Sequence, residues 1–149
     1  MSQSLPIPPP ECELCHGAGG SLLWQNDSCR VVAVDEPGLP GFLRVVLHRH
    51  VREMTDLSER ERNRFMAVVF AVESHVRRSL EPDKMNLASL GNATPHLHWH
   101  VIPRWRDDRH FPGPVWTAAR HDSPVAPARL AAAASMAATL PGALEALET

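Results

Sequence analysis

His96-Leu97-His98-Trp99-His100-Val101-Ile102-Pro103-Arg104 is the stretch on which the reading of this chain turns. Histidines and apolar residues alternate along it with the two-residue period of a β-strand. On a strand over Leu97–Pro103, His98 and His100 face one side and His96 joins them at the entry, while Leu97, Trp99 and Val101 face the other side, toward a core. A row of imidazoles has two chemical uses. A neutral imidazole can attack phosphorus while its neighbour bonds the phosphate oxygens. Alternatively, strand-borne His-x-His can hold zinc or copper. The chain has nine histidines, and three in strict alternation are hard to ascribe to composition.

Upstream of this strand lie the turn Gly91-Asn92-Ala93-Thr94-Pro95 and a further strand near Lys84–Leu90. A helix is expected over Glu59–Leu80. Ser58 and Glu61 form a capping box, and Phe65, Val69, Val72, Val76 and Leu80 recur at helical spacing before Pro82 forbids continuation. Strands are expected at Ser21–Gln25 and Cys29–Val34, joined by the turn Asn26-Asp27-Ser28. The loop Pro37-Gly38-Leu39-Pro40-Gly41 then leads into an apolar strand over Phe42–Leu47. A short final helix is expected over Ala128–Leu140. This order predicts an α+β fold: a mostly antiparallel five-stranded sheet, one long helix across it and a short C-terminal helix. The expected organisation is a flexible proline-rich arm over 1–11 (Pro6, Pro8, Pro9, Pro10), a folded domain over 12–120 and an Ala-rich helical extension over 121–149.

With 149 residues the chain fits one domain. A formal net charge of −2 argues against a broad nucleic-acid surface. The N-terminus lacks the basic and apolar regions of a signal peptide. The Ala-rich tail reads as too weakly hydrophobic, and too broken by Pro141, to span a membrane. A soluble, cytoplasmic protein is expected, with no nucleic-acid or membrane partner.

Cys12-x-x-Cys15 reads as metal binding or redox chemistry before it reads as a disulfide. Two thiolates can take two corners of a zinc tetrahedron and two imidazoles the others. A redox pair would sit at a helix start after a strand, whereas this one follows prolines. Cys29 is expected in a strand as a small apolar residue. Arg104, Arg106 and Arg109 read as a solvated run that could offer charge to a phosphate. Phe111-Pro112-Gly113-Pro114-Val115-Trp116 reads as a rigid loop able to cover a pocket or a partner. His16, His75, His110 and His121 read as surface residues.

From about Cys12 to Trp116 the chain resembles the histidine triad superfamily of nucleotide hydrolases and transferases. The strongest element is the stretch His96–Arg104. It is supported by Val34-Asp35 before a Pro/Gly loop, by Phe42–Leu47 leading into Arg49-His50, and by Asn86 ten residues before the motif. The resemblance implies His98 as nucleophile and His100 as the residue that bonds the scissile phosphate and assists the leaving group. It implies Asp35 at the ribose hydroxyls, and Asn86, Asn92 and Thr94 at the phosphates. In branches with an N-terminal CxxC it implies a structural zinc held by Cys12, Cys15, His50 and His96, with His48 as the alternate to His50. It also implies a sheet continued across a homodimer. Asn92 stands where the family usually has Gln, in a shortened loop that carries Pro95. The implied activity is cleavage at the α-phosphate of a nucleotide phosphoramidate or dinucleoside polyphosphate through a nucleotidyl-histidine intermediate. The alternatives are a non-catalytic nucleotide-binding regulatory module and a metal-dependent hydrolase using the histidine row as ligands.

Overall fold

The computed structural model describes residues 7–147, so the part of the proline arm over 1–6 lies outside the described residues. From Ile7 the arm runs into a single helical turn, α1 (Glu13–His16), followed by β1 (Ser21–Gln25), β2 (Cys29–Ala33) and β3 (Leu43–Leu47). A 3-10 turn (Met54–Asp56) precedes α2 (Glu59–Leu80); β4 (Lys84–Ala88), β5 (His98–Arg104) and α3 (Pro127–Leu144) complete the fold. The strands form one antiparallel sheet in the order β1-β2-β3-β5-β4. This is the expected α+β architecture.

Alternation gives the sheet two different faces. Val31, Val45, Leu43, Trp99 and Val101 share the face beneath α2, where Phe65, Val68, Val69, Val72 and Val76 are buried in the same core. Each such side chain contributes about 1.5–3 kcal/mol when fully buried. The capping box is present: Ser58 Oγ accepts from the Glu61 N–H, and the Glu61 carboxylate accepts from the Ser58 N–H. Glu81, in the left-handed region at φ 45°, closes the helix just before Pro82. On the opposite face the register sets Arg30, Val46 and His98 in one cross-strand row and Val32, Arg44 and His100 in the next.

Strand ends differ from the expected ones by a residue or two, because neighbouring chain replaces the ladder. The Leu97 N–H goes to the Val51 carbonyl at 2.7 Å, and β5 starts one residue later. The C-terminal helix is longer than expected. Pro141 begins its last turn rather than breaking it, and Met136, Leu140 and Leu144 are buried in the main core beside α2 and β1. The extension is thus packed onto the domain. By length and composition alone, Pro127–Leu147 is also apolar enough to cross a membrane, which corrects the reading of the tail as too weakly hydrophobic. His75 and His110 are buried rather than surface residues. The His75 Nε2 lies 3.1 Å from the Met136 carbonyl and 3.1 Å from Thr139 Oγ1, pinning α3 to α2.

Candidate active site and metal centre

The histidine row is divided between two environments. At the entry to β5, His96 Nδ1 lies 3.4 Å from Cys12 Sγ, 3.4 Å from Cys15 Sγ and 3.3 Å from His50 Nδ1; Cys15 Sγ is 3.3 Å from His50 Nδ1. Ligand atoms from all four residues lie within 4.8 Å of one another. A zinc tetrahedron with bonds of roughly 2.3 Å to sulfur and 2.05 Å to nitrogen has sulfur–nitrogen edges of about 3.5 Å and nitrogen–nitrogen edges of about 3.3 Å. The spacing therefore fits a structural zinc. The donor chemistry fits as well. Burial and the neighbouring Cys12 push the Cys15 thiol up to about 11, a penalty that a dication between two thiolates removes. The His96 Nε2 is 2.6 Å from the Leu47 carbonyl, so its N–H is spent there and Nδ1 is left for metal.

The sequence left His48 as an alternate, and the structure places it elsewhere. Its Nε2 is 3.0 Å from the Asn26 carbonyl, and its Nδ1 accepts from Arg30 at 3.4 Å. Arg30, missed in the sequence, is a buried cation that holds the knuckle. It donates to the carbonyls of Leu14, Gly17 and Ala18, the exposed C-terminal end of α1 and the loop after it.

Two residues further along β5 the chemistry changes. The His98 Nδ1 is 2.6 Å from the His96 carbonyl oxygen, so Nδ1 carries the proton and the Nε2 lone pair is free. Burial lowers the His98 pKa, and the charge of Arg44 lowers it further against the bond to His96, so the ring is neutral at physiological pH. His100 packs edge-on against His98 with ring centroids 4.8 Å apart. Burial, then His98 and Arg44, pushes its pKa down to about 3. Phe42 and Trp116 flank it at 5.7 and 4.9 Å, and the His100 Nδ1 is buried without a hydrogen-bond partner. Because His96 is turned into the thiol cluster and His98 Nδ1 is bonded to backbone, the three rings do not converge as a metal site.

Of the residues expected at phosphate or ribose, Asn86 is held by its carboxamide oxygen, which accepts from Arg104 Nη1 at 2.8 Å, on the strand face that carries Ile102. Asp35 is exposed at the exit of β2, Asn92 is exposed in the turn before β5, and Thr94 is half-buried there. Among the described residues, no side-chain hydrogen bond or ion pair joins these three to the histidine pair. Arg104 is not a solvated charge. It is buried and forks onto Asp108, with Nε and Nη2 at 2.8 and 3.1 Å, and Nη2 also reaches the Gly113 carbonyl. Burial would raise the Asp108 carboxyl, but Arg104 and the N–H groups of His110, Trp105 and Phe111 outweigh it and hold the carboxyl below its usual range. This knot fixes the loop that brings Trp116 over His100. Arg109 instead pairs with Asp122 at 2.8 Å. A cavity of about 690 Å³ lies on the far side of the knuckle, bordered by Cys15, His48, His50, Leu57, Arg64 and Phe65; the pair His98 and His100 does not border it.

Fold and site together define an α+β protein with a zinc-fitting Cys/His clip at one end of a strand and a neutral imidazole pair at the other. Residues 18–107 match the HIT domain family model, more than half of the chain, and the chain belongs to that family. It is similar to an AP-4-A phosphorylase of Mycobacterium tuberculosis, 33% identical over 81 residues; the match spans 50% of this chain and 42% of that protein's length. Among solved structures it resembles a histidine triad protein from Marinobacter aquaeolei (29% identity, 92% of this chain and 96% of the other, TM-score 0.71). A histidine triad protein from Bradyrhizobium japonicum follows at 25% identity, covering 80% and 89% with a TM-score of 0.67. The fold is shared with a Zn-bound histidine triad family protein from Mycobacterium smegmatis (21% identity, 91% and 96% covered, TM-score 0.61).

Proposed function

We propose that this protein is a nucleotidyl hydrolase or transferase that cleaves at the α-phosphate of a nucleotide phosphoramidate, a dinucleoside polyphosphate or a similar mononucleotide derivative. The observation that carries the reading is the 2.6 Å bond between His98 Nδ1 and the His96 carbonyl, which fixes the tautomer with Nε2 free to attack. In the first step Nε2 bonds to the α-phosphorus, and the bond to the leaving group breaks with its electron pair. His100, neutral and adjacent, offers its N–H to a phosphate oxygen and assists departure. Water then adds to phosphorus and the phosphorus–nitrogen bond breaks, restoring His98. Asn86, its oxygen held by Arg104, keeps its NH2 for a phosphate oxygen; Asp35 takes the ribose hydroxyls, and Asn92 and Thr94 flank the phosphates. Zinc at Cys12, Cys15, His50 and His96 is structural and supplies a rigid clip for the start of β5. The protein works as a homodimer extending the sheet beyond β4, whose outer edge has no strand partner among the described residues of one chain. It works in the cytoplasm, where its cysteines stay reduced and out of disulfides.

The test is mass spectrometry of protein incubated briefly with candidate nucleotides and quenched in base or acid. A nucleotidyl-imidazole adduct survives base and is lost in acid. It is expected on the parent protein and not on His98→Ala. An adduct that persists in His98→Ala refutes the assignment, and nucleotide binding without any adduct or turnover leaves the regulatory-module reading as the better one.

A further inference from the structure

Arg44 is the one charged residue in β3, whose sequence is otherwise Leu-x-Val-Val-Leu. The register pairs it with His100, which places it on the face that carries His98 and His100. Its bonding is incomplete. Nη1 donates to the Gly19 carbonyl at 3.1 Å, whereas Nε is buried without a hydrogen-bond partner, and no ion pair joins it to a carboxylate among the described residues. Arg30, one row away on the same face, shows what a purely structural arginine looks like here: its nitrogens are distributed over three backbone carbonyls of α1 and the loop after it, and His48. A guanidinium held at one corner with a buried donor left over costs desolvation that nothing within the chain offsets. Of the arginines on this face, Arg30 is spent on backbone carbonyls and Arg104 on Asp108, so Arg44 is the one beside the imidazoles with a buried donor left over, and attack on phosphorus builds negative charge on the non-bridging oxygens.

Resting on the phosphate-cleaving reading above, we propose that Arg44 is a substrate-binding residue. Its guanidinium takes a non-bridging oxygen of the phosphate beside His98 and His100 and makes the site select phosphorylated ligands over bare nucleosides. The forked donor geometry suits two phosphate oxygens or one oxygen held by two N–H groups. The glycine loop, through the Gly19 carbonyl, sets the guanidinium's position.

Calorimetric titration of the zinc-loaded protein with the four common ribonucleosides and their 5′-monophosphates, for the parent, Arg44→Gln and Arg44→Lys, tests this, with zinc content and Tm recorded for each. Arg44→Gln should raise the monophosphate Kd by about ten- to a hundredfold, the size of one or two charge-assisted bonds. The nucleoside Kd should stay within about twofold. Arg44→Lys, which keeps charge but loses the fork, should fall between. If Arg44→Gln does not fold, Arg44→Lys carries the same test, with a several-fold loss confined to the monophosphate. Equal loss for nucleoside and monophosphate, or a change in Tm with no change in either Kd, would mean that Arg44 only braces the glycine loop and would overturn the proposal. A parent protein that binds none of the monophosphates instead overturns the phosphate-cleaving reading, and this inference with it, before any variant is made.

Discussion

His96 and His98 stand two residues apart on one strand entry, are both buried, and differ in almost everything that matters chemically. His96 spends Nε2 on the Leu47 carbonyl and turns Nδ1 to two thiols and a second imidazole. His98 spends Nδ1 on the His96 carbonyl and keeps Nε2. In each ring one nitrogen is committed to a backbone oxygen and the other is left available, and the choice of nitrogen decides whether the side chain is offered to a metal or, on the proposed reading, to a phosphorus. The two ends are also coupled, because the carbonyl that sets the His98 tautomer belongs to the residue that would be pinned by zinc.

The sharpest way to break that comparison is to exchange the defects. His98→Ala should lower turnover by several orders of magnitude, as expected for removal of a nucleophile, with zinc content and Tm near the parent values. His96→Ala should lose zinc and stability first, and a His98→Ala protein that loses zinc equally would dissolve the distinction. Next in size is the knot behind the imidazole pair. Asp108→Ala strands the buried Arg104 guanidinium and should cost about 3–5 kcal/mol in denaturant unfolding while zinc stays stoichiometric. Loss of zinc along with stability in that variant would show that the two ends do not unfold separately. At the metal end, Cys12→Ser/Cys15→Ser should abolish zinc binding by elemental analysis and lower Tm by about 5–10 °C, the equivalent of roughly 3 kcal/mol for a chain of this size; undiminished zinc would refute the ligand set.

The most gradual effect, small over any one pH unit, is the pH dependence of the imidazole pair. His100 stays neutral in the folded protein down to about pH 3 but takes a proton near 6.5 once unfolded. Between those values the unfolded state binds more protons, so stability is complete above the window and falls as pH is lowered through it, by at most about 1.4 kcal/mol per pH unit for this group. His100→Asn should flatten that slope by the His100 share, measured by chemical denaturation at several pH values, and an unchanged slope would place the acid sensitivity at the metal end instead.

Much of this was legible before any coordinates. The two-residue period of His96–Arg104 determined which residues face the core beneath α2 and which face the other side of the sheet, because strand geometry leaves no other arrangement. The capping box and Pro82 bounded α2 to the residue, and Cys12-x-x-Cys15 announced a metal clip, since these signals are local and each is set by a few neighbouring atoms. The family resemblance already put His50 and His96 with the thiols; what could not be read was why His50 is preferred to His48, which the structure shows captured by Asn26 and Arg30. The run Arg104, Arg106, Arg109 looked like one solvated stripe, and only the fold of the loop behind β5 separated a buried Arg104 from its neighbours. Arg44 gave one signal, a charge in an apolar strand, but its meaning depended on a register with His100 that the strand sequence does not contain. The sequence by itself determined the strand that carries the imidazoles and the helix that covers its back; the tertiary structure decided which nitrogen of each histidine is free, because that depends on carbonyl oxygens and thiols brought together from distant parts of the chain.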